Sequence, residues 1–209
     1  VTSSNITVNT ACATGDWNGS SCVVMSGELT PHNCTLVTGQ TSCNAQLDWK
    51  ITNPINTPTA ITSNGMSNIN VTTTLDTPQS GTKDVSVTTT SKRFYLYNDG
   101  KELAHADVAA TTGTLISSGC TILENQKTCN SKITWSTTNP SDGITSVVKK
   151  DNATTGGTVS TGDSGIDFSY PITIGTTNFY LTHNGTTLAS SQAFAGCGGS
   201  HHPDGSGYC

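Results

Sequence analysis

The sequence predicts an all-β protein made of two tandem β-sandwich domains, and three observations lead there. The first is composition: charged residues are 11% of the 209 positions, against about a quarter in an ordinary soluble domain. Thr (39) and Ser (24) together fill near 30% of the chain, and they outnumber the strong helix formers with Asn, Gly and Val. The second is an internal repeat. Residues 27–54 (GELTPHNCTLVTGQTSCNAQLDWKITNP) and 113–140 (GTLISSGCTILENQKTCNSKITWSTTNP) match at 11 of 28 positions with an offset of 86. A further block recurs at offset 85, with Phe94-Tyr95-Leu96, Gly100 and Leu103-Ala104 against Phe179-Tyr180-Leu181, Gly185 and Leu188-Ala189. Two collinear blocks mean two homologous units of about 85 residues, a size at which small sandwiches occur. The third is a period of two inside each unit, the mark of strands with one buried face.

The units then divide the chain. Residues 1–26 form an extended arm and a cysteine-bracketed loop, 27–110 the first domain, 111–195 the second, and 196–209 a C-terminal cysteine-bracketed loop. In the first unit Cys43, Ala45, Leu47, Trp49 and Ile51 share one parity, as do Ile69, Val71 and Leu75. In the second, Ile166, Phe168, Tyr170, Ile172 and Ile174 alternate with small or polar residues. Pro171 falls on the opposite parity, which places it at a sheet edge or a bulge, because proline cannot donate to a ladder. Disorder, the competing reading of a hydroxyl-rich chain, is opposed by 33% apolar residues in these patterns and by eight cysteines.

Cysteine spacing predicts local pairs. Cys34 with Cys43, and Cys120 with Cys129, would close two-residue hairpins with tips at Thr38-Gly39 and Glu124-Asn125; Gly and Asn at the second tip position tolerate the positive φ of such turns. In that register each cysteine pair is non-hydrogen-bonded, the geometry that suits a cross-strand disulfide. The cystines would then face inward near Trp49 and Trp135. Cys12 with Cys22 and Cys197 with Cys209 are the simplest remaining pairs, while a clasp joining the chain ends or neighbouring subunits stays open. Eight cysteines with no metal-type spacing indicate an oxidising compartment. The start at Val1 without a methionine is expected for a mature secreted chain or a fragment.

The string G-x-L-x4-C-T-x4-Q-x2-C-x5-W-x3-N-P, followed by F-Y-L-x3-G-x2-L-A, resembles the tandem immunoglobulin-like repeats of bacterial secreted and cell-surface proteins. The element Cys12-Ala-Thr-Gly-Asp-Trp17-Asn-Gly-Ser-Ser-Cys22 is similar to the small C-x2-G-x-W-N-G-x2-C loop found in them. The resemblance implies an immunoglobulin-like sandwich in each unit and a secreted repeat architecture. It brings no catalytic residue.

The chemistry-bearing residues are sparse. His201-His202-Pro203-Asp204 is the one local cluster of metal-capable side chains, read more simply as a turn in a disulfide loop. His32, His105 and His183 are isolated and expected at the surface. Asn98-Asp99-Gly100 and Asn184-Gly185 are hairpin-turn signals; Asp99 and Asp163 lack the ordered spacing of a calcium loop. No nucleophile elbow, zinc-protease helix motif or phosphate loop occurs, so no enzyme activity and no cofactor or metal are expected. Net charge is −5, without the basic surface that neutralises nucleic acid. No apolar run approaches the roughly 20 residues of a membrane-spanning helix, so no membrane insertion is expected. Six glycosylation sequons, at Asn5, Asn18, Asn33, Asn70, Asn152 and Asn184, are about as many as chance gives for 17 Asn among so many hydroxyls. O-linked sugars on Thr72–Thr74 and Thr88–Thr90 are equally open. Tyr95, Tyr97, Tyr180 and Trp17 are candidates for sugar stacking or subunit contact, against the plainer reading of tyrosines on a solvated sheet face.

These features predict an extracellular structural subunit of a cell-surface filament or pilus-like fibre. Its partners would be copies of itself, assembled head-to-tail by strand addition of the N-terminal arm, with Ile6 and Val8 as the subunit contacts. The alternative is an adhesin or carbohydrate-binding module of a larger secreted protein, with glycans or a neighbouring cell surface as partner.

Overall fold

The computed structural model describes residues 12, 15–17, 21–37, 39–55, 59–63, 69–72, 79–141, 143–199 and 202–209. The N-terminal arm with Ile6 and Val8, the sequon residues Asn5 and Asn18, and His201 lie outside the described residues. The protein is all-β, arranged as β-sandwich domains and carrying four disulfides. No helix is long and apolar enough to cross a membrane among the described residues.

The strands follow the order β1 (Asp16–Trp17), β2 (Cys22–Val23), β3 (Ser26–His32), β4 (Cys43–Thr52), β5 (Thr59–Ser63), β6 (Ile69–Thr72), β7 (Gln79–Val87), β8 (Lys92–Asn98) and β9 (Lys101–Val108). The second repeat supplies β10 (Thr112–Ser117), β11 (Cys120–Ile122), β12 (Thr128–Thr138), β13 (Val147–Lys150), β14 (Gly157–Thr161), β15 (Ser164–Thr173), β16 (Gly175–His183) and β17 (Thr186–Cys197). Two compact units result. One holds the described residues up to His32, with Asn44–Ser86 and Ser91–Val108; the other holds Asn33–Cys43, Val87–Thr90 and Ala109–Cys209. The boundary therefore departs from the repeat boundary at 110/111. Its cause is local: Thr35 bridges Thr111 in parallel, with Leu36 N–H donating to Thr111 O (2.9 Å) and Thr111 N–H to Cys34 O (2.8 Å).

In the first unit β3-β4-β7 form one sheet and β6-β5-β8-β9 the other. The alternation on β4 is as the period of two requires: Ala45, Leu47, Trp49 and Ile51 are buried while Asn44, Gln46 and Lys50 are exposed. Phe94 and Leu96 of β8 and Ile61 of β5 are buried in the facing sheet. Each such side chain contributes about 1.5–3 kcal/mol through the water it leaves. Ile69 and Val71 lie in β6, whose side chains, like Leu75, are outside the description.

The second unit repeats the plan, with β10-β12-β15 in one sheet and β11-β17-β16-β13-β14 in the other. The neighbours β12/β15 and β13/β16/β17 correspond to the B–E and C–F–G neighbours of an immunoglobulin sandwich. Its core gathers Leu115, Ile122, Ile133, Trp135, Val148, Ile172, Phe179, Leu181 and Leu188. Glycines admit the close approach of the sheets. A Cβ on Gly113 would lie 2.6 Å from Leu181 Cδ2 and 2.8 Å from Leu188 Cβ, and one on Gly165 would lie 2.2–2.5 Å from ring carbons of Trp135.

Two expectations need correction. The first concerns the hairpins. Turns do occur at the expected tips: Gln40 N–H donates to Val37 O (3.0 Å) and Gln126 N–H to Leu123 O (3.1 Å), with φ of +89° at Gly39 and +63° at Asn125. The flanking segments do not pair with each other, however. β10 pairs with β12 only as far as Ser117↔Ile133. The chain then leaves that sheet through Ser118-Gly119, passing so near Phe194 that a Cβ on Gly119 would lie 2.8 Å from its carbonyl oxygen. β11 next joins β17 in parallel, Cys120↔Ala195 to Ile122↔Cys197. Cys120–Cys129 (Cα–Cα 5.9 Å) therefore ties one sheet to the other instead of closing a ladder. The equivalent Cys34–Cys43 (6.0 Å) sits at the same place in the first repeat, since Thr35↔Thr111 is the counterpart of Thr121↔Gly196.

The second correction is Ile166, expected inward and found 83% exposed. Between Phe168↔Ile133 and Gly165↔Trp135, β15 carries one residue more than β12. Asp167 takes the extra place with φ of +51°, and a bulge of one residue reverses the facing of the residues N-terminal to it relative to the run that follows. Gly165 thus faces Trp135 and Ile166 faces out. Beyond the bulge Ile172 is buried as expected, while Phe168 (37%) and Ile174 (36%) are partly open. Phe168 meets Trp135 edge-on, with centroids 6.1 Å apart. Pro171 lies on β15, an edge strand of its sheet.

Candidate functional site

Folding brings one constellation together that the sequence did not announce. His183, expected at the surface, is 1% exposed at the end of β16, with Ser146 and Asp163 beside it. His183 Nδ1 lies 2.9 Å from Ser146 Oγ, Ser146 Oγ lies 2.8 Å from Thr137 Oγ1, and the Asp163 carboxylate accepts Ser146 N–H at 3.0 Å. A serine, a histidine and an aspartate in contact invite comparison with a nucleophilic triad. The hydrogen-bond directions oppose it. Ser141 N–H donates to His183 Nε2 (3.1 Å), so Nε2 is an acceptor and the ring proton sits on Nδ1, pointing at the serine. The nitrogen facing Oγ cannot take its proton, the carboxylate orients a backbone amide and not the imidazole, and Ser146 is itself fully buried.

The first repeat builds the same plug without a histidine. Asn98, the counterpart of His183, accepts Ile55 N–H on Oδ1 (3.2 Å) and donates from Nδ2 to Thr59 Oγ1 (3.1 Å). Thr59 Oγ1 in turn donates to Gln79 Oε1 (2.5 Å). Asn98 Oδ1 and Nδ2 thus do the work of His183 Nε2 and Nδ1, with Ile55 standing for Ser141 and Thr59 for Ser146. This is a polar pin for the chain between β4 and β5 in the first repeat and between β12 and β13 in the second, where buried amides need partners.

A second assembly lies on the outer face of β8 and β9. The register pairs Arg93↔Asp107, Tyr95↔His105 and Tyr97↔Glu102. Arg93 makes a bidentate pair with Asp107, Nε to Oδ1 at 2.8 Å and Nη2 to Oδ2 at 2.6 Å, the planar fork geometry that suits guanidinium and carboxylate. Hydrogen bonding to Asp107 raises the Arg93 pKa still further, and the same bond from Arg93 holds the Asp107 carboxyl below its usual range. Tyr95 lies between Tyr97 (centroids 6.3 Å) and His105 (6.1 Å), and His105 Nδ1 is 3.0 Å from Glu102 Oε1. The outward parity of Tyr95 and Tyr97 is legible in the sequence; the flanking ion pairs are not, because they depend on register across the turn.

The remaining candidates form no such cluster. His32 pairs with Asp48 at 2.8 Å on an exposed face. Asp204 Oδ1 accepts the amides of Ser206 (2.9 Å) and Tyr208 (2.8 Å), which makes it a turn former inside the Cys197–Cys209 loop; His202 is exposed. That loop is fastened to the 123–126 turn by Asn125 N–H to Cys209 O (3.0 Å) and Cys209 N–H to Gln126 O (3.1 Å), and Lys127 lies over the Tyr208 ring at 4.3 Å. Asp99 sits at the β8–β9 turn with φ of +49°. Trp17 is 42% exposed in the Cys12–Cys22 loop. No group of three His, Cys, Asp or Glu side chains able to hold a metal occurs among the described residues. Two hollows in the second unit, about 280 and 410 Å³, are lined by no acid, histidine or cysteine.

Of the sequons, Asn152 is exposed and its Oδ1 accepts Thr154 N–H (2.8 Å) and Thr155 N–H (2.9 Å). Asn184 is exposed at the β16–β17 turn. Asn33 is half-buried with Oδ1 toward Ala109 N, and Asn70 lies in β6 with its side chain outside the description. Compared with protein-family models the chain matches none, and no curated protein matches it.

Proposed function

We propose that the chain is a structural subunit of an extracellular, cell-surface filament whose partner is a further copy of itself. Four disulfides fit an extracellular setting. One observation supports self-assembly above the others: β10 is a sheet edge without a blunting residue from Thr112 to Ile116, while at its end Ser191 Oγ takes the Ser117 amide at 2.9 Å. Native edges are commonly blunted by charge, proline or a bulge. β3 carries Glu28, Pro31 and His32, β7 carries Lys83 and Asp84, and β15 carries Pro171 and the bulge at Asp167. β10 reads Thr-Gly-Thr-Leu-Ile-Ser, with none of these, and pairs with β12 in unbroken register. Its outward Ile116 (67% exposed) begins a row that crosses the sheet through Thr134 to Ile166 (83%).

The arm around Ile6 and Val8 supplies the complementary strand in this reading, so that residues 1–10 of one copy pair with β10 of the next and the contact does not close into a ring. Sedimentation of the full chain against a Thr114→Lys/Ile116→Lys variant tests it. The native chain is expected to form species that grow with concentration, and the variant to remain monomeric with unchanged unfolding. Equal assembly by both proteins would reject β10 as the acceptor edge.

A further inference from the structure

We propose that the outer face of β8 and β9 in the first repeat is a glycan-binding platform that takes neutral pyranose units. The argument is a comparison inside the molecule. Both repeats place a cross-strand polar pair at this face, and in the second it is neutral: Gln192 donates to Asn178 at 2.9 Å, at the positions of Asp107 and Arg93. The partners of Tyr95↔His105 and Tyr97↔Glu102 are Tyr180↔Ser190 and Thr182↔Thr187. The sandwich therefore forms without three aromatic rings in a row and without a charged fork. The first repeat holds both, on a half-exposed surface, in a chain where charges are only 11% of residues.

The chemistry of this face selects its occupant. A pyranose offers an apolar C–H face bordered by hydroxyls that both donate and accept. Half-exposed tyrosines supply an apolar ring with a polar tip at low entropic cost. Planar carboxylate and guanidinium groups match vicinal hydroxyls in pairs. Arg93 and Asp107 hold each other in place and are thereby preorganised, while Glu102 is kept by His105 at the other end of the aromatic row. Two carboxylates against one guanidinium disfavour a polyanion such as nucleic acid or an acidic polysaccharide. The face in the second repeat carries one cation near Tyr180, Lys149, whose ammonium is tied to Thr154 O at 2.7 Å.

Binding here is independent of fibre assembly. The test is a titration of the isotope-labelled full chain with cellohexaose, mannohexaose, xylohexaose and N-acetylchitohexaose, following backbone amide shifts. At least one probe is expected to move residues 93–97 and 102–107 in a saturable way. Tyr95→Ala should weaken that probe at least about tenfold, while Tyr180→Ala leaves it unchanged. No saturable shift at this face with any probe up to about 10 mM overturns the proposal, as does equal loss in both variants. The shift map is read on the native chain, so it decides the matter even if Tyr95→Ala fails to fold.

Discussion

His183 and Asn98 hold the same place in the two repeats and make the same two hydrogen bonds with different atoms, an acceptor toward a loop amide and a donor toward a buried hydroxyl. The imidazole is thereby fixed as the Nδ1–H tautomer. Nitrogen chemical shifts of His183 should show a protonated Nδ1 and an unprotonated Nε2 at neutral pH. The opposite assignment would reopen the triad reading of Ser146.

The same equivalence ranks substitutions. His183→Asn keeps one acceptor and one donor and should cost less than about 1 kcal/mol. His183→Leu strands the Ser141 amide, at about 1–3 kcal/mol for a buried group left unpaired, and takes from Ser146 Oγ one of its two partners, leaving Thr137 Oγ1. Urea unfolding of the two variants checks the order; equal losses would mean that packing, not hydrogen bonding, holds this site.

The glycines over the tryptophan rings set up a second ranking. An added methyl at Gly165 meets Trp135 ring carbons at 2.2–2.5 Å, whereas one at Gly81 meets the Trp49 ring at 3.0–3.1 Å. Overpacking a filled core costs about 1–3 kcal/mol. Gly165→Ala should fall at the upper end and Gly81→Ala at the lower, measured as shifts in the urea midpoint.

The cystines follow loop arithmetic. Cys120–Cys129 closes a sequence separation of 9, for which the chain-entropy model gives roughly 2.5–3 kcal/mol. Cys120→Ala/Cys129→Ala should lose about that much. Because the bond joins two sheets, added loss should appear as faster amide exchange in β11 and in the end of β17 that pairs with it.

Asp107 gives a pH prediction. Its folded pKa is depressed by the bond from Arg93, so the pair stabilises the fold fully above the ordinary aspartate range, about 4. That contribution fades as pH falls through the lower folded value. A carbonyl-carbon titration should place Asp107 below a free aspartate, and Arg93→Ala should bring it back up.

Much of the architecture was legible from the sequence because a sheet has one period and repeats show their own boundaries. The inward set Ala45, Leu47, Trp49 and Ile51 is an example. What escaped was of two kinds. Single-residue events are invisible to a period: the bulge at Asp167 turned Ile166 outward, and the departure at Ser118-Gly119 moved β11 to the other sheet. Loop-to-strand hydrogen bonds are likewise unseen, and they are what buries His183. One signal for it was present, since His183-Asn184-Gly185 aligns with Asn98-Asp99-Gly100 at offset 85 and an asparagine just before a turn is a known capping partner of loop amides. The charged face of β8 and β9 was half legible, its tyrosines by parity and its ion pairs only through register.

Electron microscopy of negatively stained protein tests the central claim, self-assembly through the arm and β10, most directly. The full chain, concentrated stepwise, is expected to give unbranched fibres of uniform width, and a chain lacking residues 1–10 to give only separate particles. Fibres of unchanged appearance from the shortened chain, or separate particles from the full chain at every concentration, would contradict the account.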